Sequence, residues 1–201
     1  MMLGDLSINK KIKGNGCFQM THSTNQEEYL DFKKKILEFH PKVKMTKSYR
    51  KTYLKSTEKT YEQVYCYSNN NKYATFLHKV MYKNGKKIVN RKILNQLSDF
   101  GLYLWYLDDG YLNIRYDEKT KKIKEYRIFL YTNSFSLDEV KEIKKWFNDR
   151  YGIDPNINKK GNGYILYFNS SKTREFMKII DKFYDLVPSM QRKFLKYHIP
   201  S

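Results

Sequence analysis

The chain has 201 residues, 40% of them hydrophobic and 16% aromatic, which suits one large or two small packed domains and excludes a disordered chain. Thirty-nine Lys and Arg against 21 Asp and Glu leave a net charge of +18, far beyond the ~2–8 that solubility needs, so a polyanionic partner is expected. No apolar run approaches the ~18 residues of a membrane span, no basic helix has a clean apolar face, and MMLGDLSINKK lacks a signal-peptide layout, so no membrane partner is expected.

In chain order, GDLSINKKI (4–12) opens on an acidic turn and then alternates as a strand does. Ile8 and Ile12 point one way; Ser7, Asn9 and Lys11 point the other. GCFQMTHS (16–23) reads as a second strand with Cys17, Gln19 and Thr21 on one face. NQEEYLDFKKKILEF (25–39) places Tyr29, Phe32, Ile36 and Phe39 at helical spacing. The basic insert KVKMTKSYRKTYLKSTEK (42–59) is expected as a hairpin reaching along a duplex, or as a loop holding phosphates, and offers Tyr49, Arg50 and Lys51. A strand and a helix follow in EQVYCYSNNNKYATFLHKV (62–80), then the basic RKIL (91–94).

Ser98 next opens an almost wholly apolar helix, SDFGLYLWYL (98–107), that runs into Asp108-Asp109-Gly110. A helix C-terminus carries partial negative charge, so each acid there is unfavourable by ~0.3–1 kcal/mol. The earlier pattern then restarts. DDGYLNIRY (108–116) turns Leu112 and Ile114 inward and Asn113 and Arg115 outward; YRIFLYTNS (126–134) is a second strand. SLDEVKEIKKWFNDRYG (136–152) carries Val140, Ile143, Phe147 and Tyr151 at helical spacing. NGYILYFNSSKTREFMKII (162–180) lies 100 residues beyond its counterpart, and RKFL (192–195) closes the copy.

The repeat is too long for a solenoid, so the expected molecule is α+β, with two related halves, 1–94 and 97–201, joined near Asn95-Gln96. Two-fold pseudo-symmetry would bring Asp5 and Asp109 to one point. Two carboxylates repel by ~4 kcal/mol at ~4 Å with an effective dielectric of ~20. A hard divalent cation such as Mg²⁺ relieves that repulsion and, beside a phosphodiester, activates water. One Asp-Gly alone is a common turn; an acid at the matching place in both copies favours a metal site. Amide and Arg side chains on the outward strand faces are suited to reading base edges. Cys17 and Cys66 form no CxxC, so reduced thiols in an intracellular compartment are expected, while His22, His40, His78 and His198 lack metal-ligand spacing and are expected to be structural or solvated.

LSDFGLYLWYLDDGYL (97–112), MMLGDLSI (1–8), LYTNSFSLDEV (130–140) and VPSMQRKFL (187–195) together resemble the LAGLIDADG homing endonucleases in their two-motif, monomeric form, over nearly the whole chain. The resemblance implies two pseudo-symmetric αββαββα-type halves whose antiparallel, saddle-shaped sheets lie over the major groove of double-stranded DNA. It implies site-specific, intron-encoded-type cleavage with Mg²⁺. Asp5 and Asp109 become the catalytic, metal-binding acids, and Gly4 and Asp108 join them at the metal. Lys193 is the assisting lysine of the second half; in the first, Lys87 fits the family pattern and Lys92 fits the internal repeat. The expected DNA contacts are Ser7, Asn9, Lys11, Gln19, Thr21, Tyr49, Arg50, Lys51, Asn113 and Arg115. Leu6 and Tyr103 stand where the family commonly has small residues. The alternative is an RNA-binding splicing maturase on the same scaffold, with intron RNA as partner; a basic DNA-binding regulator is third, and no helix-turn-helix supports it. The host compartment, bacterial or phage cytoplasm or an organelle, stays open.

Overall fold

The computed structural model describes residues 3–11, 13–55 and 58–198. The chain divides into two compact units, residues 1–82 and 83–201.

The first unit is built on a four-stranded antiparallel sheet of β1 (Ser7–Asn9), β2 (Cys17–Ser23), β3 (Met45–Leu54) and β4 (Lys59–Ser68), in the order β1-β2-β4-β3. The β3–β4 hairpin pairs ten residues on each strand; the basic insert 42–59 supplies its first strand, and the second runs on to Ser68, so the hairpin is longer than the insert. Helices α1 (Glu27–Glu38) and α2 (Lys72–Met81) supply the remaining layer. Alternation puts Leu6, Ile8, Phe18, Met20, Val64 and Cys66 into one core with Leu30, Leu37 and Ala74. Asn71 caps α2 by accepting from the Ala74 N–H.

The buried stripe of α1 is Tyr29, Leu30, Lys33 and Leu37, one step away from the expected Tyr29, Phe32, Ile36 and Phe39. Phe39, the C-cap residue of α1, is still in helical conformation but lies off that stripe and is 94% exposed. Lys33 joins the stripe with its ammonium 4.5 Å from the Tyr29 ring centroid, a cation–π contact that offsets some of the cost of burial. Ile12 lies outside the described residues, as do Met1 and Met2, where a leading helix would start; Leu3, Gly4 and Asp5 form a turn.

The second unit repeats the topology. Its sheet of β7 (Gly110–Tyr116), β8 (Ile123–Tyr131), β9 (Asn156–Lys160) and β10 (Gly163–Phe168) runs β7-β8-β10-β9. Helices α5 (Leu137–Tyr151) and α6 (Ser170–Ile180) match α1 and α2. Ser136 and Glu139 form a reciprocal capping box on α5, and Gly152 ends it in the left-handed region at φ 67°. Asn169 caps α6 as Asn71 caps α2. The leading helix α4 (Asp99–Asp109) is capped by Ser98 and buries Leu102 through Leu107 without a break.

Residues 83–94, which the repeat assigns to the first half, belong to the second unit. A short ribbon, β5 (Tyr82–Lys83) and β6 (Lys86–Lys87), turns through Asn84 and Gly85, both at positive φ, into α3 (Arg91–Asn95). The Val89 N–H donates to Glu139 at 2.9 Å, and Arg91 pairs with Glu142 at 2.6 Å and Asp149 at 2.7 Å, tying the segment to α5. The structural division therefore falls before the expected join at Asn95-Gln96.

Candidate active-site acids and nucleic-acid interface

Each unit presents a carboxylate where its leading segment enters the first strand. Asp109 is the last residue of α4, and Gly110 begins β7 immediately. Gly110 has φ −86°, so positive φ is not what it supplies. A Cβ there would collide with the ring and carbonyl of Tyr106, so close approach is the reason for glycine. In the first unit Asp5 ends the turn and β1 follows two residues later. Leu6 does not take up positive φ, and its side chain is buried in the core; the missing glycine is absorbed without strain.

The second unit holds its acid at an unfavourable helix end with two donors. The Trp105 indole N–H donates to Asp109 Oδ2 at 3.1 Å, one helical turn away. Lys193 Nζ donates to the Leu107 and Gly110 carbonyls, at 2.6 Å and 2.8 Å, and the Tyr106 hydroxyl donates back to the Lys193 carbonyl at 2.5 Å. A cation on the last carbonyls of α4 opposes the negative end of the helix dipole. Lys193 thus closes the helix that carries Asp109. Asp108 is half-buried beside it.

In the first unit the Asp5 side chain is 40% exposed, and Nε2 of buried His22 lies 3.9 Å from its Oδ2. The ring is fixed by Gln26 Oε1, 3.1 Å from Nδ1, and by an edge contact on Tyr29. His22, expected to be structural or solvated, is buried and stands beside the acid. The only sequence signal was its inward position in β2, with Phe18 and Met20. Gly4 is buried in the same turn.

The donor chemistry suits a hard divalent cation. Asp5 and Asp109 are carboxylates, the hard oxygen donors that such a cation prefers. Lys87 lies in the second unit, lining a cleft with Ser134, Phe135 and Glu139; Lys92 is an exposed residue of α3.

The outward face of the first sheet carries most of the expected DNA contacts. Ser7, Gln19, Thr21 and Arg50 line one cleft with Asp5 and Tyr65. Asn9 and Lys11 are exposed nearby in sequence. Arg50 lies 5.4 Å over the Tyr65 ring and donates to Gln63 at 3.0 Å. Tyr49 and Lys51 lie on the opposite face, because three consecutive strand residues cannot share one: they pair with Val64 and Glu62, while Arg50 pairs with Gln63. Tyr49 donates to Glu27 of α1, and Lys51 is bound to Glu62 at 2.9 Å. In the second sheet Asn113 and Arg115 share the outward face with Arg127 and Glu125 through cross-strand pairing.

A chain with an acid at the strand entry of each of two like-ordered sheets, beneath an outward face of amides and arginines, fits the class of two-motif nucleases. The model of the LAGLIDADG DNA endonuclease family matches residues 1–176, and the chain belongs to that family. Among curated relatives it is 27% identical to the cytochrome b mRNA maturase bI2 of Debaryomyces hansenii, over 98% of this chain and 71% of the relative. It is 25% identical to the probable intron-encoded endonuclease 1 of Wickerhamomyces canadensis, over 96% of this chain and 80% of the relative. Some other curated relatives are matched over only 42–43% of their length. The fold resembles that of the homing endonuclease I-WcaI bound to its DNA recognition sequence, with a TM-score of 0.81 and 20% identity, covering 96% of this chain and 82% of that one.

Proposed function

We propose that this chain is a Mg²⁺-dependent, site-specific double-strand DNA endonuclease of the intron-encoded homing type, acting as a monomer. The observation that carries the reading is the recurrence of one carboxylate, Asp5 and Asp109, at the same topological place in two copies of the same four-stranded sheet. Asp5 and Asp109 would hold the divalent cation, which supplies an activated water and stabilises the leaving oxygen of a phosphodiester. The chain's own residues bind and orient: Arg50, Gln19 and Thr21 on one face, Asn113 and Arg115 on the other, set the register of a duplex through base edges and phosphates. Trp105 and Lys193 keep Asp109 in place at the end of α4. Two free thiols, half-buried Cys17 and buried Cys66, support an intracellular setting. Among the described residues no helix is long and apolar enough to cross a membrane.

A splicing maturase is the second reading, supported by the relative from Debaryomyces hansenii that carries that name. The test is incubation of the protein with a plasmid bearing a duplex site that it has itself selected from a randomised library, in Mg²⁺ and in EDTA. Linear plasmid in Mg²⁺ alone is the expected result. Tight duplex binding with no cleavage in Mg²⁺ or Mn²⁺ would overturn the endonuclease reading.

A further inference from the structure

The second sheet carries a feature that phosphate binding does not require. Tyr111 pairs with Phe129, and Phe129 pairs with Tyr167, so three rings lie side by side across β7, β8 and β10 on the outward face. Their centroids are 6.4 Å and then 5.4 Å apart, at interplanar angles of 25° and 38°. The opposite face is filled by Leu112, Ile128, Leu130, Leu166 and Phe168, all buried. The ring row is thus extra to the core: Tyr111 is 49% exposed, and Phe129 and Tyr167 are half-buried. Cross-strand aromatic pairs stabilise a sheet by ~0.2–1 kcal/mol each, but that gain does not require a phenylalanine, which has no polar atom, at the centre of an outward face. The surroundings are cationic and polar. Arg127 lies 5.7 Å over Tyr167, and Lys160 lies 4.5 Å over Tyr131.

Resting on the DNA reading above, we propose that the Tyr111–Phe129–Tyr167 row reads thymine 5-methyl groups in the major groove of one half-site. The 5-methyl is the only apolar group on the major-groove edge of a base pair, and an apolar side chain is its partner. The rings contact one another and leave no slot for a base to slide between them, which favours contact with a duplex edge over stacking of a single strand. Among the described residues the first unit has no such three-ring cross-strand row. At the matching place in its sheet, Ser7 pairs with Gln19, Gln19 with Tyr67 and Tyr67 with Thr46, so one ring stands there, stacked on Tyr65 of its own strand at 5.5 Å, beside hydroxyls and an amide. Methyl reading therefore belongs to the second sheet and hydrogen-bond reading to the first.

The test uses the full chain and the duplex it selects from a randomised library, synthesised with thymidine or with deoxyuridine throughout, and in each half separately. Deoxyuridine removes only the methyl. Each buried methyl contributes about fourfold in affinity, so two or three give about tenfold or more. That loss is expected in one half-site only, and the Tyr111→Thr/Phe129→Thr variant is expected to bind both duplexes within about twofold of each other. Threonine suits a strand; if the double variant still fails to fold by circular dichroism, Tyr111→Ser alone carries the comparison. Equal wild-type affinity for the two duplexes, or an equal loss in both halves, would overturn the inference and leave the DNA reading standing. Absence of duplex binding would remove both. Preference for single-stranded RNA, lost in the variant, would show a base-stacking platform and also overturn it.

Discussion

Asp109 sits at a helix end that repels it, and its neighbours compensate. Lys193 bridges two carbonyls at the close of α4. Lys193→Met is expected to lower stability by about 1–3 kcal/mol in chemical denaturation, since charge-assisted hydrogen bonds are lost; an unchanged midpoint would mean the lysine is free to serve elsewhere. At the other end of the same helix, Asp99 accepts from Lys182 at 2.7 Å and Tyr151 at 2.9 Å. Lys182, then Tyr151 and Arg150, hold its carboxyl below the ordinary carboxylate value of 3.8. A depressed carboxylate stabilises the fold above the unfolded value and loses that contribution as pH falls through the folded one. Asp99→Asn should therefore melt below wild type at pH 7, with the gap closing below pH 4. A gap that stayed constant down to pH 3 would exclude this linkage. The two acids were legible in the sequence because they recur at matching places. The bonds that hold them were not: Trp105 was within reach as an i, i+4 neighbour, but Lys193 is brought to α4 only by tertiary folding.

At the scale of elements, alternation and the repeat together made both sheets legible, down to which of Ser7, Ile8 and Asn9 face outward. Sequence alone nevertheless groups three consecutive residues, Tyr49, Arg50 and Lys51, as DNA contacts. A strand divides them, Arg50 to one face and Tyr49 and Lys51 to the other. Charge density suggested a basic patch, whereas pleating decides which charges share a face. Arg50→Ala should alter the base preferences recovered from a randomised duplex library. Lys51→Ala, on the helix side and paired with Glu62, should leave those preferences intact. Identical profiles for the two variants would contradict the assignment of faces. The stripe of α1 was displaced for a related reason: counting apolar residues passed over Lys33, whose buried stem and cation–π contact make it part of the core.

For the whole molecule, the net charge of +18 governs association. If ~6–10 phosphates are contacted, affinity should fall ~10³–10⁵-fold between ~50 and ~200 mM salt; a flat response would remove the nucleic-acid reading. On the proposed function, binding and chemistry should separate: the sheets and basic segments would bind, and the two acids would serve cleavage. The direct test is Asp109→Asn, which keeps the shape and the indole hydrogen bond but removes the charge that a cation needs. In Ca²⁺ it should bind the selected duplex within a few-fold of wild type, and in Mg²⁺ it should not linearise the plasmid. Full double-strand cutting by Asp109→Asn would show that the acid at the end of α4 is only a turn, and the account of the active site would fall with it.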